Sequence, residues 1–347
     1  MKQGVELTRF PTVREARFYE KTGIDETVCL ACERQCKIKE GSQGFCGTRV
    51  NVEGKLYTIV YGDISSISAN PIEKKPFFHF HPGSYALTVG TWSCNFSCPW
   101  CQNFDISKNR PDPRRAQYVS PEQLIDVALK SGCDGTSISF NEPTLLLEYS
   151  LDLFPLARNK GLYNTFVSNG YMTLKTLQAL AEAGLDAIKF DVKGDEEVYE
   201  KYCGGVKASI VWRNAHRAKE LGLHVEIVNL VIPGVNDDEY CIRQLVETHL
   251  KMLGSDTPLH FTRYHPEYMF KAPSTPVKTL EKARELARSL GVLFPYVGNV
   301  PGHKFENTWC PMCGELLIQR LGFTVSRINV SSEGRCTKCG FQVPLIR

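Results

Sequence analysis

Between about residues 84 and 298 the chain alternates short β-branched runs with stretches whose apolar positions recur at helical spacing. The runs YALTVG (85–90), TSISF (136–140), NTFVS (164–168), AIKFDV (187–192), VEIVNLVI (225–232), LHFT (259–262) and VLFPYVG (292–298) read as strands. Helix punctuation fills the gaps. Ser120, with Pro121 behind it and Gln123 three residues on, predicts a capping box, and Gly132 closes that helix. Thr173–Ala183 repeats the pattern, with Leu174, Leu177 and Leu180 spaced by three and Gly184 at the end. Residues 276–290 begin at a Pro and end before Gly291. Six strand–helix units and a seventh strand predict an α/β fold with a parallel sheet. A doubly wound sheet and a partial or complete (β/α) barrel both satisfy that order.

The flanks read differently. Val52 to Ile72 holds short strands around a Gly-Asp turn, and fewer than fifty residues follow position 303. A segment that short needs a staple such as a metal, because it cannot bury much core. Three parts are therefore expected: an N-terminal extension (1–75), a central βα domain (76–302) and a C-terminal domain (303–347).

Charge narrows the partners. With 41 Lys plus Arg against 38 Asp plus Glu, nothing in the balance asks for a nucleic acid. No apolar run approaches the ~18 residues of a membrane span, and the charged first twenty residues lack a secretory h-region. A cytoplasmic chain is expected, associated peripherally with a membrane only if its substrate is a lipid.

Cysteine changes the picture most. Eleven of the 14 fall into three clusters: Cys29, Cys32, Cys36 and Cys46; Cys94, Cys98 and Cys101; and Cys310, Cys313, Cys336 and Cys339. Cys133, Cys203 and Cys241 stand alone. In a reducing compartment, pairs two or three residues apart read as metal or cluster ligands and not as a disulfide framework. Cys94-x3-Cys98-x2-Cys101 directly follows the strand 85–90. Three thiolates on one tight loop can hold three irons of a cubane and leave the fourth open to a chelating small molecule.

In this loop the sequence resembles the radical S-adenosylmethionine (radical SAM) superfamily, and more narrowly the radical SAM proteins of the AmmeMemoRadiSam system, relatives of pyruvate formate-lyase activating enzymes. The matching stretches are NPIEKKPFFHF (70–80), the loop through CQNFDIS (101–107), FNEPT (140–144), KFDVKG (189–194) and YVGNVPGH (296–303). The resemblance implies a barrel of radical SAM type and a [4Fe–4S] cluster whose open iron binds S-adenosylmethionine (SAM). Reductive cleavage of SAM would then give a 5′-deoxyadenosyl radical that abstracts hydrogen from an unactivated C–H bond. It further implies that Asn141, Glu142 and Pro143 take the place of a Gly-Gly-Glu-Pro motif near the SAM amino group, with Phe140-Asn141 where glycines are common. Ser168, Asn169, Asp191 and Lys193 would face SAM or substrate, and Trp100 would pack on adenine. Asp191 and Lys193 alternate along one strand and so share a face, which an ion pair would explain as well. Cys203 is a candidate substrate-proximal thiol, making Asp191, Lys193 and Cys203 the catalytic candidates.

WCPMCG (309–314) and RCTKCG (335–340) form two knuckles, suited to zinc or to a single rubredoxin-type iron. Cys29, Cys32, Cys36 and Cys46 can ligate an auxiliary iron–sulfur cluster or a zinc. His79, His81, His260, His265 and His303 read as hydrogen-bonded structural residues. The functional expectation is a radical SAM enzyme of oxidoreductase or transferase type, supplied by ferredoxin or flavodoxin, with carbon–carbon coupling of lipid alkyl chains as one fitting reaction. The alternatives are an activating enzyme that installs a radical on a protein partner and a zinc-stapled, non-catalytic binding module.

Overall fold

The computed structural model describes residues 7–347, so the first six residues of the N-terminal extension lie outside the described residues. Eight strands, ordered along their sheet as along the chain, form the framework. They are β1 (Ser66–Pro71), β2 (Tyr85–Gly90), β3 (Gly135–Ile138), β4 (Tyr163–Ser168), β5 (Ala187–Asp191), β6 (His224–Val231), β7 (Leu259–Arg263) and β8 (Pro295–Gly298). All seven runs read as strands from sequence are present, and β1 at the edge is an eighth. The crossovers carry α1 (Pro121–Lys130), α2 (Leu147–Asn159), α3 (Leu174–Ala183), α4 (Glu196–Tyr202), α5 (Ala208–Glu220), α6 (Glu239–Leu253) and α7 (Val277–Leu290). The expected α/β class is the class found. None of the helices among the described residues is long and apolar enough to cross a membrane.

The chain packs as two units. In the first (residues up to 69 and 86–186), β2, β3 and β4 are parallel neighbours, so their carboxyl ends share one edge. The capping box forms: Ser120 Oγ accepts from Gln123 N at 3.2 Å, and Ser120 N donates to Gln123 Oε1 at 2.8 Å. Helix α3 buries Leu177 and Leu180 completely, but Leu174 remains 41 % exposed. A step of three residues turns the helix about 60° short of a full circle, which carries the first leucine off the buried face. Gly184 ends α3 at φ +112°, where a Cβ would sit 2.5 Å from Arg158 Cδ, so glycine is required there. The N-terminal extension folds as two small antiparallel sheets, one from Tyr19–Lys21, Glu26–Cys29 and Lys37–Lys39, the other from Arg14–Glu15, Arg49–Val52 and Lys55–Thr58.

In the second unit (70–85 and 187–347), β5 to β8 are parallel, and β8 is buried along its whole length. Its centre is the carboxylate of Glu226, which has no exposure. Oε1 accepts from the backbone of Phe78 and of His79, each at 2.8 Å, and from His224 Nε2 at 2.9 Å; Oε2 accepts from His260 Nε2 at 2.7 Å. Burial opposes the charge, but these donors outweigh it and hold Glu226 well below the usual carboxylate range. The C-terminal part contributes β9 (Thr308–Trp309), β10 (Leu316–Leu321) and β11 (Thr324–Ile328), an antiparallel sheet. Arg320 of β10 ties it down: the guanidinium lies 4.1 Å over the Phe78 ring, Nη2 donates to Phe78 O at 2.7 Å, and Glu73 is 3.7 Å away.

Two buried histidines of this unit set an acid limit. Burial pushes His79 down to about 3 and His249 down to about 4. In the unfolded chain both take up a proton near pH 6.5. Below that pH the unfolded state binds more protons, so stability is complete above about 6.5 and falls with acid. Each ring removes about 1.4 kcal/mol per pH unit until its folded value is reached. Urea midpoints measured between pH 7.5 and 5 are expected to fall accordingly, and His249→Gln should flatten the profile. A profile already flat in the unsubstituted protein would show that these rings are not buried neutral.

Candidate active site

The site begins where β2 ends. Cys94, Cys98 and Cys101 lie on the loop just after Gly90, in the first unit with β3 and β4. Ser93, at φ +70°, turns the chain into the loop, and its hydroxyl donates to Cys46 O at 2.6 Å. Asn141 braces the same turn from β3: Oδ1 accepts from Thr91 N at 3.2 Å, and Nδ2 donates to Ser93 O at 2.7 Å. Phe140, where glycine is the common residue of the resembling motif, takes the left-handed backbone at φ +70°. Such a conformation costs a non-glycine residue about 1–2 kcal/mol and is kept where the surroundings fix it. Here Asn103 Nδ2 bonds Phe140 O, while Asn141 next to it is held on Thr91 and Ser93.

Glu142 has no exposure and clamps the ends of β3 and β4 together. Oε1 accepts from Thr144 N at 3.0 Å and from the Ser168 hydroxyl at 2.9 Å, and Oε2 accepts from Asn169 N at 2.9 Å. It caps the short turn Pro143–Leu146, and burial raises its carboxyl above the usual value despite these donors. Asn169 continues the chain of contacts. Nδ2 donates to Asn95 Oδ1 at 2.7 Å and lies 3.9 Å from Cys94 Sγ, while Phe96 N lies 3.4 Å from the same sulfur. Cys101 Sγ is 3.0 Å from Ser107 Oγ. Trp100 is buried within the loop. The structure thus brings Asn141, Glu142, Ser168 and Asn169 together behind the cysteine loop.

The donor set fits an iron–sulfur cluster. Three soft thiols share one short loop, and two N–H groups are directed at the sulfur of Cys94. Burial and the neighbouring Glu142 carboxylate push the Cys94 thiol far up, so only a bound cation would make it a thiolate. Cys94, Cys98 and Cys101 would hold the cluster. Removing an N–H···S contact lowers the reduction potential of such a centre by withdrawing stabilisation from its more negative state. Asn169→Ala is therefore expected to shift the potential of this cluster downward in a redox titration followed by electron paramagnetic resonance (EPR). An unchanged potential would reduce Asn169 to a turn residue.

Asp191 and Lys193 belong to the second unit. Strand β5 ends at Asp191, so Lys193 lies beyond it on the following turn and not on the strand. Two lysines grip the carboxylate: Lys189 Nζ bonds Oδ1, and Lys193 Nζ is 3.3 Å from Oδ2. Burial works against its charge, but both ammonium groups outweigh it and hold Asp191 below the usual range. Lys193 is fixed in turn, its N–H on Tyr199 OH at 3.1 Å and its carbonyl on Asn236 Nδ2 at 2.6 Å. Cys203, at the end of α4, has no exposure.

Sequence reasoning missed Lys189 and Lys75. Lys75 is 4 % exposed, and burial pushes it down to about 7, with Lys74 and Lys189 adding to the effect. The signal available was the pair of lysines inside NPIEKKPFFHF, which holds no helical or strand period of its own.

At the C-terminus the four sulfurs converge. Cys310 and Cys339 are 3.5 Å apart, Cys313 and Cys336 are 3.7 Å apart, and all four lie within 4.8 Å of one another. Metal–sulfur bonds of about 2.3 Å in tetrahedral array place thiolates about 3.8 Å apart, so the set fits one ion. The expected knuckle pair is a metal-binding site.

Comparison with known proteins agrees with this geometry. Residues 89–242, from the end of β2 to the start of α6, match the family described as the radical SAM superfamily. The chain is 41% identical over 338 residues to an uncharacterized protein of Methanocaldococcus jannaschii, covering 96% of this chain and all of that one. It is 27% identical over 257 residues to the "Probable GTP 3′,8-cyclase" of Pyrobaculum aerophilum, covering 71% of this chain and 76% of that protein. Among solved structures, a radical SAM methyltransferase from Sphaerobacter thermophilus shares the fold at 12% identity and a TM-score of 0.50, over 85% of this chain and 80% of that one. With three cysteines on the first loop inside the matched segment and a shared partial-barrel fold, this chain is an enzyme that belongs to the radical SAM superfamily.

Proposed function

We propose that the chain cleaves SAM reductively at the Cys94–Cys98–Cys101 loop and directs the resulting radical at an unactivated C–H bond of an organic substrate. The observation that carries this reading is the thiol triplet at a strand end, backed by the Glu142–Ser168–Asn169 clamp. When bound, the cluster supplies the electron that breaks a carbon–sulfur bond of SAM. The protein's own residues bind and orient. Glu142 Oε2 takes a single hydrogen bond and keeps a lone pair for an ammonium donor. Trp100 is buried within the loop, which leaves adenine only the edge of this segment. Within the second unit, Asp191 is held ionised by Lys189 and Lys193.

The electron comes from a one-electron protein donor of ferredoxin or flavodoxin type. The Cys310–Cys313–Cys336–Cys339 site holds one zinc or iron. Thiolate-bound iron of this kind persists in reducing surroundings, which favours the cytoplasm. The cyclase among the relatives acts, by its name, on GTP, and the methyltransferase transfers a methyl group; neither name carries lipid coupling. Anaerobically reconstituted protein given SAM and dithionite should form 5′-deoxyadenosine. Protein that holds its cluster yet forms none would sink the proposal.

A further inference from the structure

We propose that Cys29, Cys32, Cys36 and Cys46 form a second iron–sulfur centre, a four-iron cluster packed directly against the loop of Cys94, Cys98 and Cys101. Cys29 ends its strand and Cys36 precedes the next, the pair closed by Cys29 N donating to Cys36 O at 3.0 Å. Cys32 lies on the turn between them. Cys46 lies on the turn before Arg49, where Gly47 takes φ +69°.

The surroundings are those of anionic sulfur. Phe45 N is 3.5 Å from Cys36 Sγ, and Thr48 Oγ1 is 3.1 Å from Cys46 Sγ. Arg49, 2 % exposed, adjoins Cys29 and Cys46. Its Nη1 meets Glu148 at 2.7 Å, but its buried Nη2 has no hydrogen-bond partner. A buried donor left without an acceptor costs about 1–3 kcal/mol, which an anionic cluster beside it would recover.

At the N-terminal set Cys29, Cys32 and Cys46 adjoin one another. The buried Arg49 cation and the donors on Cys36 and Cys46 suit the larger anionic charge of a cluster, which takes one thiolate per iron.

Position gives the site its meaning. Residues 30–33 dock on the segment after β4: Cys32 bridges Met172, Glu33 N donates to Tyr171 O at 2.9 Å, and Thr173 Oγ1 donates to Leu30 O at 2.8 Å. Asn95, 1 % exposed, stands between the two cysteine sets. Its Oδ1 faces Cys94 Sγ at 3.8 Å, and its side chain adjoins Cys32, with Nδ2 lacking a hydrogen bond of ordinary length. One asparagine therefore separates a ligand of each cluster.

The test is iron, sulfide and zinc analysis with EPR on the anaerobically prepared full chain. Two clusters predict about eight irons with matching sulfide per chain, or about nine irons if the C-terminal ion is iron. In the reduced protein, SAM should alter one EPR species and leave a second unchanged, with mutual broadening between them. Cys32→Ala/Cys36→Ala should remove about half the iron and the SAM-insensitive species. Replacing Cys94, Cys98 and Cys101 together by Ala should leave about four irons and that species alone. Only about four irons in the unsubstituted protein, with an additional zinc or an N-terminal disulfide, would overturn the proposal whether or not the variants fold. A missing 5′-deoxyadenosine product alongside about eight irons would count against SAM cleavage and leave this site standing.

Discussion

Replacing Cys94, Cys98 or Cys101 singly by Ala is expected to reduce 5′-deoxyadenosine formation to background while the chain stays folded. Each thiol is one of only three the loop offers, and a fourth must not be supplied, because the open iron is the place for SAM. The loop is fixed by contacts that do not use the sulfurs. Asn141 holds Ser93 and Thr91, and Asn103 Nδ2 bonds Phe140 O. The fold should therefore survive the loss, with an unchanged circular dichroism spectrum and thermal midpoint. A variant that keeps its product yield would remove the triplet from the chemistry. By the same reasoning Glu142→Gln should act through position. It retains an acceptor for the Ser168 hydroxyl and presents an amide beside Asn169 N, so it should weaken SAM binding more than it disturbs the cluster spectrum.

Glu226→Ala is expected to be the most destabilising single substitution in the second unit, by about 3–5 kcal/mol. Four donors converge on this carboxylate, two of them backbone N–H groups of Phe78 and His79 that have no water to turn to. Removing it leaves all four without this acceptor, those of Phe78, His79 and His260 buried, whereas Glu226→Gln keeps one acceptor and should cost less. The segment 77–81 also carries the C-terminal part, through Arg320 on Phe78 and through His79 Nδ1 on Pro344 O at 3.1 Å. Loss of Glu226 should therefore loosen the Cys310–Cys339 site, seen as faster release of its metal to a chelator. A denaturation midpoint within about 0.5 kcal/mol of the unsubstituted protein, the range of ordinary surface changes, would show the network to be dispensable.

The strands were the most legible part of the sequence. Parallel strands buried on both faces need apolar, β-branched residues throughout, and YALTVG and VEIVNLVI carry that requirement in their composition. Strand β1 falls within the short strands expected over 52–72, but its place at the edge of the main sheet was not legible, because SISANP alternates exposure along its length. Helix ends were legible where a side chain caps them, as at Ser120 and Thr173. Burial along α3 was legible except at Leu174, where the three-residue step leaves the buried face. The site was legible in part. Cys94, Cys98 and Cys101 are close in sequence, so spacing alone defines their loop. Asn95 and Arg49 carry no signal of their own, since their partners lie 74 and 99 residues away, at Asn169 and Glu148.

By itself the sequence determined the α/β class, the thiol loop after β2 and the paired C-terminal knuckles, because each rests on local spacing that the backbone must respect. Tertiary structure alone decided the rest. It made Glu142 a clamp between two strand ends, joined Lys189 to the Asp191–Lys193 pair, and set the N-terminal cysteines against the Cys94–Cys101 loop through Asn95. It also gathered the four C-terminal sulfurs tightly enough for a single ion. The physical reason is common to all of these. Hydrogen bonds and buried charges act between residues brought together by folding, and only the geometry of their meeting fixes which partner each polar group keeps.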